Sequence, residues 1–272
     1  MPSALPTQDV SIEPPFLRSL AIQMRVIWAL CLRESLTRFG RNNLGFLWLF
    51  IEPMTFTLGV TFVWSLSRMT HGSTLSIASF ALTGYSSVLL WRNPASRISK
   101  AIESNLALLY HRNVRVFDIF ISRILLEIIG ISASFFGLML VLVFFEVIET
   151  PVDLVTLIAG WGLLSAFSIA LALTIGALSE QSDFLDRIWH AAAYLLFPFS
   201  GAGTLADWLP PGLRVFILKI PFVHGVEMIR HGFYGDAIRT YEDPVYLTLC
   251  TLVLFALGLF LSRGAAKIVE PD

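Results

Sequence analysis

From Leu154 to Leu178 the chain runs without one charged side chain. A helix needs roughly 20 apolar residues to cross the hydrocarbon core of a bilayer, within a range of about 17–25. A run of this length and purity therefore reads as a membrane span. The rest of the chain supports that reading. Of its 272 residues 56% are hydrophobic and only 14% are charged, whereas a soluble domain carries about 25% charged residues. Mean hydropathy is +0.72. One water-surrounded core could not hide so much apolar surface, so lipid must act as solvent for part of it, and the backbone must satisfy its own hydrogen bonds there.

Five further segments meet the length criterion. They are Leu44–Leu66, Leu75–Trp91, Ile124–Val147, Ile188–Leu205, which holds His190 and Pro198, and Val245–Leu261. Six spans put both chain ends on the same side. The basic residues say which side. Only Arg68, Arg214, Lys219, Arg230 and Arg239 fall in segments on the face opposite the termini, and the other lysines and arginines lie on the terminal face. Positive residues stay in the cytoplasm, so both termini are expected there. Residues 1–15 lack an apolar h-region behind a basic start, so the first apolar span is expected to remain in the mature protein. The chain then divides into a cytoplasmic segment 1–43, a membrane domain 44–262 and a cytoplasmic tail 263–272. The two halves show no internal repeat of the kind secondary transporters carry.

Three segments are neither loop nor span. Phe16–Phe39 is amphipathic, with Leu17, Leu20, Met24, Ile27, Trp28 and Cys31 on one arc and Arg18, Gln23, Arg25 and Arg33 largely opposite, although Ile22, Val26 and Leu30 interrupt the pattern. A basic, Trp-bearing helix of this type lies in the headgroup layer. The connection 93–122 is too polar to span. Within it Ile98, Ile102, Leu106 and Leu109 recur at helical spacing, which predicts a short cytoplasmic helix over about 97–112. Its ridge either seats in a groove on another protein or packs back on this chain. The connection 206–243 contains an apolar run too short to cross, punctuated by Pro210, Pro211, Pro221 and Gly225, and reads as re-entrant. His224, Glu227, Arg230 and His231 follow at helical spacing; a polar rim is expected there rather than a metal site.

Charges inside spans are costly and are usually paired. Glu52 is expected to pair with a nearby arginine, beside Pro53, which removes a backbone hydrogen bond and favours a kink. Cys31 and Cys250 stand far apart with no metal or redox spacing and read as inert thiols. The net charge of −1 argues against nucleic-acid binding. A nucleotide-binding P-loop needs Gly-Lys-Ser/Thr, yet Lys100, Lys219 and Lys267 follow Ser99, Leu218 and Ala266. Any ATP hydrolysis must come from another chain.

Three motifs carry a family resemblance: RFGRNNLGFLWLFIEP at Arg38–Pro53, AIESNLALLYHRNVRVFDIFISRILLE at Ala101–Glu127, and KIPFVHGVEMIRHGFYG at Lys219–Gly235. Together they resemble the polysaccharide-exporting permeases of the ABC superfamily, most closely the capsular branch; Ile220 departs from the Asn that many members carry there. The resemblance implies an all-α integral membrane protein with six spans, an amphipathic interface helix, a cytoplasmic coupling helix and periplasmic re-entrant helices before the last span. It implies a homodimer in the bacterial inner membrane, with two copies of a P-loop ATPase that carries the ATP and Mg, none being bound by this chain. That ATPase would dock on Ile98, Ile102, Asn105, Leu106 and Leu109. Periplasmic and outer-membrane export proteins would complete the route of a lipid-linked polysaccharide.

A sugar path needs amphipathic rings, for which Trp48, Trp64, Tyr85 and Tyr194 are the candidates. Arg38 and Arg41 would offer their forks to a phosphate or an acidic sugar at the mouth. O-antigen or teichoic acid would suit the same machinery. A membrane-embedded lipid-sugar transferase fits less well, because Glu52, Glu127 and His190 are scattered over three spans while such chemistry needs convergent acids or histidines.

Overall fold

A computed structural model describes residues 16–39, 45–67, 75–109 and 114–269. Among these residues the chain is helical and contains no strand. In order they form α1 (Phe16–Phe39), α2 (Gly45–Ser67), α3 (Ile77–Arg97), α4 (Leu106–Leu109), α5 (Val116–Phe144), α6 (Leu154–Gln181), α7 (Asp183–Leu195), α8 (Pro211–Ile217), α9 (Pro221–Tyr234) and α10 (Pro244–Val269). Helix starts follow local chemistry. Asp153 accepts bonds from the backbone N–H groups of Val155 and Thr156 at the head of α6, as an N-cap carboxylate should. Prolines open α8, α9 and α10, where their missing N–H leaves no bond unmade.

Four of the helices are long and apolar enough to cross a bilayer: Leu47–Leu66, Val116–Phe144, Leu154–Gln181 and Pro244–Gly264. The segments Leu75–Trp91 and Ile188–Leu205 fall short of that standard, each for a visible reason. Most of α3 is covered by protein, from Ser79 to Trp91 without a break. Its Thr83 and Ser87 hydroxyls donate back to the carbonyls of Ser79 and Thr83, so it tolerates polarity that a lipid-facing helix would not. The second segment is no continuous helix. It stops at Leu195, makes a single 3-10 turn at Phe197–Phe199 and then unwinds.

The core lies where α6 meets α9, α3 and α10. Trp91 of α3 stacks on Phe222 of α9 at 4.3 Å, and Trp161 of α6 stacks on Phe135 of α5 at 4.1 Å. Small residues let α9 touch α6. A Cβ on Gly232 would sit 2.3 Å from the backbone nitrogen of Leu157. Val152 and Asp153 donate their N–H groups to the Phe233 and Gly232 carbonyls at 3.2 and 2.8 Å. Close approach of this kind is how helices associate when lipid removes the hydrophobic drive.

Helix α1 explains the interruptions in its own pattern. Ile27, Leu30, Cys31 and Ser35 are buried, while Leu17, Leu20, Met24 and Trp28 are exposed. It thus carries two apolar strips. One lies on α5, where Cys31 Sγ donates to the Ser122 carbonyl at 3.3 Å, Gln23 donates to Asp118, and Arg123 pairs with Glu34 at 3.0 Å. The other faces away from the protein.

Candidate functional site

The segment from Ile98 to Leu109 differs from the expected helix over 97–112. It runs through turns, a 3-10 turn at Glu103–Asn105 and the single turn of α4; residues 110–113 lie outside the described residues. The apolar ridge also divides. Ile98 and Ile102 are 0% and 2% exposed, so they pack back on this chain. Ile98 seats against Gly176 of α6, where an added Cβ would come within 2.7 Å of it. The Ile102 N–H donates to Glu180 at 2.7 Å. Asn105 is buried and accepts from Arg33 of α1 at 3.0 Å. Leu106 is exposed and offers an outward apolar surface, whereas Leu109 is half-buried and packs partly against the core.

Above this segment stands a cluster of charge. Arg97, at the end of α3, pairs with Glu52 of α2 at 2.5 Å and with Glu127 of α5 at 3.5 Å. Pro53 follows Glu52 inside α2. The cavity beside them, lined by Asn93, Arg97, Glu52 and Glu127, measures about 10 Å³, the room of one water. The cluster is a joint between three helices rather than a ligand site. The sequence leaves the arginine partner of Glu52 unnamed; Arg97 stands six residues beyond Trp91, where the apolar segment ends.

The third arrangement spans the length of α3. Residues 183–208 run antiparallel to it. Asp186 meets Ser99, Trp189 donates to Ser96 at 3.1 Å, Phe197 contacts Tyr85 edge-on, and Trp208 stacks on Phe80 at 5.3 Å. Between Ser200 and Leu205 the backbone is unwound, and its carbonyls need donors. Arg230 of α9 supplies them. Its Nη1 donates to the Gly201 and Thr204 carbonyls at 2.5 and 2.9 Å, and its Nη2 to Ala202 at 2.6 Å. The guanidinium lies 3.9 Å from the Phe80 ring centre, a cation–π contact.

Glu227, one turn earlier, accepts the N–H groups of Ala206 and Tyr241. Arg214 of α8 repeats the device for the Ala206, Asp207 and Leu209 carbonyls. Gly84 is the notch that admits this strand of backbone: a Cβ there would meet the Ala202 oxygen at 2.3 Å.

The expected polar rim is therefore a buried knot, because Glu227 and Arg230 are both 0% exposed. His224 has both ring nitrogens engaged: Nε2–H donates to the Leu218 carbonyl, and Nδ1 accepts from the Asp243 N–H. His231 pairs with Glu242. Pro210 and Pro211 sit at the head of α8.

Among the described residues, the expected path aromatics do not converge within one chain. Trp48 and Tyr194 are exposed, with Arg92 over the Tyr194 ring. Trp64 leans on Phe80, and Tyr85 is buried against Phe197. Arg41 lies outside the described residues, as does the side chain of Arg38.

Residues 25–234 match the family model described as ABC-2 type transporter. The capsule polysaccharide export inner-membrane protein CtrC of Neisseria meningitidis serogroup B is 43% identical over 257 residues, covering 94% of this chain and 97% of CtrC. BexB of Haemophilus influenzae, of the same description, is 42% identical over 260 residues, covering 96% and 98%. The polysialic acid transport protein KpsM of Escherichia coli is 27% identical over 246 residues, covering 89% and 94%. The family model covers residues 25–234, and likeness to CtrC and BexB runs along nearly the whole length: this chain belongs to the ABC-2 type transporter family.

Proposed function

We propose that this chain is the inner-membrane permease subunit of an ATP-driven exporter of lipid-linked capsular polysaccharide. The observation that carries the reading is the end-to-end likeness to CtrC and BexB, whose names specify capsule polysaccharide export at the inner membrane. In this reading both termini are cytoplasmic. The helices α2, α3, α5, α6 and α10 cross the bilayer, and residues 183–208 form a sixth, discontinuous crossing. α1 then lies in the cytoplasmic headgroup layer with its outward strip in lipid, and α8 and α9 fold back on the periplasmic side.

The permease works as a homodimer with two copies of a P-loop ATPase, which binds the nucleotide. It hands the polymer to periplasmic and outer-membrane partners. Trp48, Trp64 and Tyr194 would face the polymer between protomers, and Arg38 and Arg41 would receive its charged end. The ATPase contacts the Leu106 side of the segment 98–109, with Leu109 at its edge, and the exposure of Leu106 supports that side as the contact.

A capsulated strain deleted for this gene tests the reading. The wild-type gene should restore surface polymer. The variant carrying Leu106→Glu with Leu109→Glu should reach the membrane normally but neither retain the ATPase on purification nor export. Full surface polymer in the deleted strain, or a double variant that still retains the ATPase, would overturn the corresponding part.

A further inference from the structure

We propose that Lys100 is a positioning residue that couples movement of the segment 98–109 to the discontinuous crossing, through its ion pair with Asp183. The inference rests on the reading that an ATPase works on that segment. Lys100 Nζ lies 2.5 Å from Asp183 in the first turn of α7 and 3.6 Å from Glu103. Its neighbours tie the same two places together. Ser99 donates to Asp186, one turn further along α7, and the Ile102 N–H donates to Glu180 at 2.7 Å, just before α7 begins. The segment is thus fastened to the α6–α7 junction.

Helix α7 runs unbroken from Asp183 to Leu195 and leads to the 3-10 turn and the unwound residues held by Arg230. A pull at Lys100 therefore acts along α7 on the one place where the crossing has no helical ladder to resist it.

Two observations separate this role from plain folding. The pair is open to water, with side-chain exposures of 42% for Lys100 and 70% for Asp183, and exposed ion pairs add little to stability. Yet Lys100 holds a φ of +52°, a conformation glycine adopts freely and lysine does not. A turn needed only for its shape would be better made by glycine. The strained backbone is kept together with a long cationic side chain, and that side chain reaches α7. Its hydrogen-bonded carboxylate partner holds the ammonium pKa above its ordinary value, so the lysine stays charged across the physiological range.

The test uses the full permease with its ATPase, in cells deleted for the native gene and in proteoliposomes. Lys100→Gly, Lys100→Glu, Asp183→Lys and the double variant Lys100→Glu with Asp183→Lys are compared. Membrane abundance, ATPase retention, ATP turnover and exported polymer are measured for each. The single variants should keep abundance, ATPase binding and turnover, while polymer exported per ATP falls about tenfold, a typical size for a coupling between sites. The double variant should recover most of it.

Wild-type export by Lys100→Gly and Lys100→Glu overturns the proposal. So does a double variant no better than its parents, or loss of ATPase binding in step with export, which would make Lys100 part of the docking surface. Failure of the docking reading appears elsewhere, as ATPase retained by the Leu106→Glu and Leu109→Glu variant.

Discussion

Arg230→Met removes the three hydrogen bonds that answer the unwound carbonyls. The carbonyls of Gly201, Ala202 and Thr204 all lie within 2.9 Å of its guanidinium, and Arg230 is fully buried. An acceptor left unpaired in such a site costs about 1–3 kcal/mol, so the three together come to roughly 3–9 kcal/mol. The cation–π contact with Phe80 is also lost, at about 2 kcal/mol when desolvated. Against a total stability of about 5–15 kcal/mol, that is enough to unfold the chain or bring it close.

Arg230→Lys keeps the charge but replaces a planar fork by a point donor, so it should fall between the two. Detergent-solubilised protein is heated in steps and the fraction remaining monodisperse on gel filtration gives the midpoint. A large fall for Met and a smaller one for Lys is expected. Arg230→Met melting within two or three degrees of wild type would mean the unwound residues find other donors, and the account of the knot would fail; for a chain of this size such a shift corresponds to only about 1 kcal/mol.

Gly232→Ala should separate α9 from α6, because its Cβ would collide with the Leu157 backbone at 2.3 and 2.6 Å; a Tm within a degree of wild type would contradict the packing. Arg97→Ala should harm both stability and export more than Glu52→Gln does. The first strands two carboxylates in one joint, whereas the second leaves Arg97 with Glu127; breaking a buried pair by deleting the shared partner costs about 3–5 kcal/mol, less the share recovered where the pair is partly open to water. Equal effects in a double-mutant comparison would refute the shared-arginine geometry. Burial pushes the Cys31 thiol up to about 11, with Glu34 adding to the rise, so little thiolate exists at neutral pH. Cys31 should resist maleimide at pH 7.5 in folded protein and react as pH rises towards that value; rapid labelling at neutral pH would place it at the surface.

The elements most legible in the sequence are those governed by length and charge. The uncharged run Leu154–Leu178 lies within α6, and Phe16–Phe39 coincides with α1. Segments whose polarity is satisfied by protein were harder to read. Nothing local in the sequence says that Ser79 and Thr83 will be covered on all sides, or that Arg230 will be answered by carbonyls nearly thirty positions earlier. Ile98 and Ile102 show the same limit from the other side. Periodicity announces an apolar ridge but not whose groove it fills, and here Gly176 of the same chain fills that role. The left-handed turn at Lys100 left no trace at all, since a lysine there carries none of the glycine signal that marks such turns.

The order in which the polypeptide is made gives the Arg230 knot one more consequence. The groups that satisfy residues 200–206 come from α8 and α9, which leave the ribosome later. The nascent chain must therefore carry these carbonyls unanswered, sheltered by the insertion machinery or by α3, until that guanidinium arrives. Chains truncated ahead of α9 should be cleared by membrane proteases rather than accumulate as stable fragments.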